Sequence, residues 1–181
     1  MSDNTNTKNC KIGEIINLPR AKRVLASGSN LTHEHFIASR YICIREASAG
    51  QRGILVKVLG RASGDYAKIV KGVPFWRDDD DITFYGAIYY GYPLPSAEEV
   101  KEVLGIVKGN ESLLRQFEEA GMHINPDSTF WVNKIRRSKL FFKKLQYLDG
   151  HDGQLYTAND NANNHYRISI VYYNKDGEII W

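Results

Sequence analysis

The chain has 181 residues and a formal net charge of +3, with 43% apolar, 12% aromatic and 25% charged residues. That is ordinary globular composition, and it excludes a disordered chain, a collagen-like repeat and a supercharged nucleic-acid coat. Two cysteines, Cys10 and Cys43, are too few for a disulfide framework or a Cys-rich zinc module, and no apolar run approaches the roughly 20 residues of a membrane span.

Residues 1–10 read as a loose polar tail rather than a signal peptide, so a cytoplasmic location is expected from the chain as it stands. A trimmed or phage-borne chain would instead be exported or virion-associated. Residues 11–181 are expected to form a single α+β domain. Lys11 to Leu18 reads as a first strand stopped by Pro19, and Ser27 to Asn30 as a turn. His35 to Glu46 alternates in part, with Tyr41, Cys43 and Arg45 on one side and Ile42 and Ile44 on the other. Gly53 to Leu59 is a β-branched strand, followed by an expected loop from Gly60 to Gly64. Residues 66–76 fit a strand or a loop, and Ile82 to Tyr92 is a Tyr-rich strand-like stretch.

The second half is more sharply marked. Ser96 followed by Glu99 is a capping box, and Val100, Val103, Leu104 and Val107 recur at helical spacing, predicting a helix over 97–107. Asn110 caps a second helix near 111–120, with Leu113, Leu114 and Phe117 on its apolar face and Gly121 at its end. Thr129 to Val132, Lys139 to Leu148, Arg167 to Tyr173 and Glu178 to Trp181 favour strands. Asp149 to Gly153 and Asn174 to Gly177 are the turns between them.

Each candidate for chemistry has a plainer explanation beside it. His33 and His35 would share one face of a strand, without helical zinc-site spacing or a marked third ligand. Asp78 to Asp81 fits a solvated loop better than a calcium loop, which alternates its ligands with turn residues. Cys43 reads as a small buried hydrophobe. No phosphate-binding glycine loop, nucleophile elbow or dinucleotide fingerprint occurs, so no catalytic residue, metal or cofactor is assigned. An enzyme built from residues that meet only in the fold, with His33, His35, His123 or His165 as a base, remains a third reading.

Two stretches carry binding chemistry. Lys134 to Lys144 holds six basic residues and no acid, with Phe141 and Phe142 among them. Arg136, Arg137, Lys139, Lys143 and Lys144 would form a nucleic-acid surface, basic groups meeting phosphates while an aromatic stacks on bases. A solvated edge strand explains the same run, since lysines there discourage aggregation. The second stretch runs from Tyr156 to Tyr166. Asn159, Asn161, Asn163 and Asn164, with Asp160, predict a long surface loop. Asn and Tyr offer adaptable hydrogen bonds and rigid contact area, so Tyr156, Asn159, Asp160, Asn161, Asn163, Asn164 and Tyr166 are the candidate binding residues for a protein or a glycan.

From residue 93 onward the order of features resembles a family. Pro93 to Val100 (PLPSAEEV) is similar to the helix start of bacterial C-type-lectin-like domains, including those at the C-terminus of a collagen-like adhesin. Phe130 to Asn133 stands where that family has a "YWSS.E" strand, Leu145 to Gly153 matches a strand ending in a D-G turn, and Arg167 to Tyr173 matches a last strand. The resemblance spans about residues 93–173 of the chain. Val132, Asn133 and Lys134 replace the family's serines and acid, so no role transfers to them. Cys10 and Cys43 precede the matching region, so the cysteine chemistry of formylglycine-generating enzymes, which share the fold, is not implied. What the resemblance implies is a non-catalytic binding module in which short strands support a ligand-facing loop surface. In some relatives retroelements rewrite Asn, Tyr and Ser codons near the C-terminus, and the Asn-rich run at 159–164 is similar. It also implies that the strand near 11–18 pairs with the final strands, closing the domain at its ends.

Overall fold

A strand whose alternate side chains are all apolar needs a cover on both faces, because neither set tolerates water. Strand β4 (Ser39–Arg45) is of this kind: Tyr41 and Cys43 point into one apolar cluster, and Ile42 and Ile44 into another. The computed structural model contains this alternation over Tyr41 to Ile44, but the register shifts before Arg45, whose guanidinium lies 3.6 Å from Glu102 on the Ile42 and Ile44 side rather than beside Tyr41 and Cys43. It describes residues 10–18, 21–27, 30–36, 39–70, 73–77, 88–137, 143–158 and 164–180. The fold is mixed α+β, with strands outnumbering helices among the described residues.

Besides β4, the first half supplies β1 (Ile15–Leu18), β2 (Ala21–Ser27), β3 (Asn30–Phe36), β5 (Gly53–Ser63), β6 (Ala67–Val70), β7 (Val73–Arg77) and β8 (Ile88–Pro93). Then come α1 (Ala97–Val107) and α2 (Glu111–Glu119). The remaining strands are β9 (Thr129–Arg137), β10 (Lys143–Asp149), β11 (Leu155–Thr157), β12 (Asn164–Tyr173) and β13 (Ile179–Ile180). An eight-stranded sheet runs β1-β4-β5-β12-β9-β10-β11, with β13 also on β12, and a five-stranded sheet runs β3-β2-β8-β7-β6.

The large sheet is covered twice. On one face Ile42, Ile54, Val56, Phe130, Val132 and Ile168 meet the apolar stripes of both helices, including Val100, Val103, Val107, Leu113 and Phe117. On the other, Leu18, Tyr41, Cys43, Leu55, Trp131 and Val171 join Trp76 of β7 and Tyr92 of β8. The N-terminal half therefore contributes three strands to the sheet that holds the C-terminal half.

Both helices begin and end as local chemistry dictates. Glu99 N–H donates to Ser96 Oγ at 3.1 Å, and Ser96 N–H donates to Glu99 Oε1 at 2.9 Å, which closes the capping box. Leu113 N–H donates to Asn110 Oδ1 at 3.1 Å. Gly121 has φ +74°, and Met122 N–H returns to the carbonyl of Phe117, so the second helix stops where a left-handed residue is tolerated.

Several expectations change. Cys10 is buried, so it does not belong to a loose tail, and Lys11 to Gly13 turn before the first strand begins at Ile15. The stretch 35–46 is two strands in different sheets rather than one element. Gly60 to Gly64 is not a loop: β5 runs on to Ser63 through a bulge at Leu59, where Gly60 has φ +90°. Residues 66–76 are the β6–β7 hairpin, while residues 82–87 of the Tyr-rich stretch lie outside the described residues. Strand β1 pairs antiparallel with β4, not with β12 or β13, so the sheet is not closed by its two chain ends as the lectin resemblance implied. Among the described residues no helix is long and apolar enough to cross a membrane.

Replacing Ser96 with Ala removes one side of the capping box and should lower the unfolding free energy by about 1 kcal/mol. Urea titration of the two proteins checks this, and coincident midpoints would assign the cap no weight.

Candidate functional site

The strand order places β12, β9, β10 and β11 side by side at one end of the large sheet. Four rings from these strands form one assembly. His165 of β12 stacks on Tyr147 of β10 with centroids 4.0 Å apart, and Trp131 of β9 meets His165 edge-on at 4.5 Å. Tyr147 stacks in turn on Tyr156 of β11 at 5.6 Å. The column is braced at both ends. Trp131 Nε1–H donates to the Ala62 carbonyl at 2.9 Å, and the Tyr156 hydroxyl donates to Asp152. Tyr156, at the outer end, is 40% exposed.

The Asp152–Tyr156 pair polarises both groups. The phenol's hydrogen bond holds the Asp152 carboxyl below the usual carboxylate range, and the carboxylate pushes the Tyr156 hydroxyl up. Asp152 Oδ1 also accepts from Gln154 N–H at 2.8 Å, so the turn that carries the carboxylate is itself pinned.

His165 sits inside the assembly at 8% exposure. Its Nδ1 shares a 2.5 Å hydrogen bond with Thr129 Oγ1, and its Nε2 is buried with no partner among the described residues. Burial, with the Arg61 charge behind it, lowers its pKa to about 4. The imidazole is therefore neutral at pH 7, with one ring nitrogen donating and one accepting.

The residues expected to bind divide three ways. Tyr156 lies on a strand and is exposed, as does Asn164, whose carbonyl accepts from Arg61 Nη2 at 3.0 Å. Tyr166, expected on the ligand-facing loop, is instead buried and stacked on Phe130 at 5.3 Å. The large-sheet pairing of β12 begins at Asn164, so Tyr166 falls on the helix-facing side of a strand. The long loop imagined from Tyr156 to Tyr166 thus has strands at both flanks. Asn159, Asp160, Asn161 and Asn163 lie outside the described residues.

Of the basic run, Arg136 and Lys144 occupy facing register positions on β9 and β10, as do Arg137 and Lys143; Lys139 lies outside the described residues. Successive register positions alternate between sheet faces, so a run contiguous in sequence is not contiguous on one face. Asp78 to Asp81 also lie outside the described residues, and His33 and His35 belong to β3. His123 Nδ1 is 3.0 Å from Glu118 Oε1, both side chains well exposed, beside an open hollow of about 360 Å³ that Arg61 and Tyr166 also line. A solvated pair of this kind has little electrostatic leverage. Among the described residues no group of three His, Cys, Asp or Glu side chains could hold a metal ion.

Tyr147 and Thr129 carried only a strand signal in the sequence, Trp131 was not linked to the loop, and His165, inside the 156–166 stretch, was named only as a possible base. They meet because β12 lies parallel to β9, a pairing between residues 36 apart at its one register point, Tyr166 with Phe130. Compared with known proteins, the chain matches no family model, no curated protein and no solved structure.

His165 makes stability depend on acid. Its folded pKa lies below its unfolded value, so between about pH 6.5 and 4 the unfolded chain binds more protons than the folded one. The stability is fully present above that window and is lost as pH falls through it. His165→Phe should therefore flatten the change in unfolding free energy between pH 7 and pH 4.5 by about 2 kcal/mol. Chemical denaturation at the two pH values measures this, and equal losses in both proteins would clear His165 as the responsible group.

Proposed function

We propose that this protein is a non-catalytic binding module whose ligand, a protein or a glycan, meets the end of the large sheet between Tyr156 and Asn164. The observation that carries the reading is the state of Tyr156. It is exposed, yet its ring is stacked on Tyr147 and its hydroxyl is tied to Asp152. An aromatic side chain fixed in this way offers contact area at low entropic cost, which is how rigid anchors function in recognition surfaces. The Asn-rich segment 159–164 begins three residues later and supplies hydrogen-bonding groups of both senses. The C-type-lectin-like resemblance would imply a similar loop surface carried on short strands, but the reading rests on Tyr156 and not on that resemblance. Nor is the sheet closed as the resemblance implied, because β1 joins β4.

A second reading rests on the register of β9 and β10, which gathers Arg136, Arg137, Lys143 and Lys144 at one end of a hairpin. It would make the protein nucleic-acid-associated, with affinity falling steeply as salt rises.

The test uses an immobilised glycan array and a displayed peptide library as probes, with a single-stranded oligonucleotide in parallel. Tyr156→Ala, and separately the joint change of Asn161, Asn163 and Asn164 to Ala, should weaken binding to any captured glycan or peptide at least tenfold, with Tm shifted by only a few degrees. Unchanged affinity in both variants removes this surface from the account. Salt-dependent oligonucleotide binding that is lost in Arg136→Ala would assign the function to the hairpin instead.

A further inference from the structure

The two cysteines of the chain are 33 positions apart in sequence, yet both are buried in one cluster, Cys10 at 6% and Cys43 at 0% exposure. The backbone explains their meeting. Gly13 N–H donates to the Cys43 carbonyl at 2.7 Å and Cys43 N–H donates to the Glu14 carbonyl at 3.0 Å, so the segment entering β1 is laid directly along β4. Both thiols lie in one buried cluster together with Tyr173. The Tyr173 hydroxyl is 3.3 Å from Cys43 Sγ and also reaches the Arg45 carbonyl at 3.1 Å. Gly53 is required beneath it, because a Cβ there would strike the Tyr173 ring.

This is more than a small hydrophobe filling space. Each cysteine acts first on the other: Cys43 pushes the Cys10 thiol up and Cys10 draws the Cys43 thiol down, so a thiolate formed in the pair sits on Cys43. Lys11, Ile12, Gly13 and Glu14, immediately after Cys10, form one wall of an open hollow of about 650 Å³ whose other wall is Asn110 and the first turns of α2. The turn is held to β4 by the two backbone hydrogen bonds just given, with an internal bond from Lys11 N–H to Glu14 Oε2 at 2.9 Å.

We propose that Cys10 and Cys43 are an oxidation site at which a small peroxide forms a disulfide, fastening the Lys11 to Glu14 turn to the large sheet. The Cys43 thiolate attacks one oxygen of hydrogen peroxide, the O–O bond breaks, and the leaving hydroxide takes up the proton that the thiol released. The resulting sulfenic acid is then attacked at sulfur by Cys10. Its S–O bond breaks as the S–S bond forms, and the departing hydroxide leaves as water with the Cys10 proton. In sum two thiols are oxidised by two electrons, and one peroxide is reduced to two waters. A thiol reductant reverses the step by exchange.

The experiment treats the full chain with hydrogen peroxide under native conditions, quenches it, and alkylates all remaining thiols in denaturant before mass spectrometry. Both thiols should disappear together in the monomer, whose mass falls by two hydrogens, and a non-reducing digest should yield a peptide joining Cys10 to Cys43. Dithiothreitol should restore both thiols. Hydrogen exchange over Lys11 to Leu18 should slow at least tenfold in the oxidised protein. In Cys10→Ser, which keeps the size of the side chain, Cys43 should stop at sulfenic acid or higher oxides. The proposal is overturned by thiols that remain fully alkylatable, by one cysteine oxidising without the other, or by a link formed only between two chains. A link that forms without slowing exchange overturns the fastening of the turn.

Discussion

The structure depends on one requirement, that the central strands of the large sheet be dry on both sides. In β5, Ile54, Val56 and Val58 face the helices while Leu55 faces Trp76, Tyr92 and their neighbours. Neither cover can be dispensed with, since an uncovered face would expose a continuous apolar surface. The helices are amphipathic and cannot persist alone at these lengths of 11 and 9 residues, so sheet and helices stabilise each other. The small sheet serves as the second cover through β7 and β8, which is why a protein with two short helices carries so many strands.

That arrangement also explains the form of the candidate site. The helix-facing side of β9 and β12 is occupied by Phe130, Val132, Tyr166 and Ile168 as core. On the opposite side, Trp131, Tyr147 and His165 fill the space with rings that bear polar atoms; Trp131 Nε1 and His165 Nδ1 are satisfied by Ala62 and Thr129, while His165 Nε2 has no partner among the described residues. The polar side of the packing thus lies toward the edge strand β11, where Tyr156 emerges. Rigidity passes outward from the core along stacked rings rather than along the backbone.

What was legible in the sequence followed the range of the physics. Helix boundaries are set within a few residues, so Ser96, Glu99, Asn110 and Gly121 announced both helices almost to the residue. The alternation of Tyr41, Ile42, Cys43 and Ile44 was equally plain, because a doubly covered strand must be apolar throughout. Pairing was not legible. Nothing in β1 says that it will choose β4, and Gly60 looks like a loop residue until β12 lies opposite it and a bulge absorbs the extra position. β11 is three residues long, too short for any period to register. Of the site, the exposed Tyr156 and the Asn-rich composition beside it were readable. The column behind it was not, since Trp131, Tyr147 and His165 become neighbours only through the strand order. Tyr166 was misread for the same reason: its tyrosine character suggested surface, and its position on β12 buried it.

The place of β12 has a consequence for how the chain reaches this structure. It follows every other described strand but β13 in chain order, yet it lies in the middle of the large sheet, between β5 and β9. Its partners on β5 are separated from it by 101 residues at Ser63 with Asn164 and by 120 at Gly53 with Tyr173. Loop closure over such distances is entropically costly and slow, and proteins dominated by distant pairings fold late. On the ribosome, β4 and β5 can pair as a local unit, and β9 with β10, but the large sheet cannot join these units until β12 has emerged. Until then the apolar stripes of both helices have only part of their platform. The edges of β5 and β9 therefore stay open in the nascent chain until β12 is inserted between them and seals both.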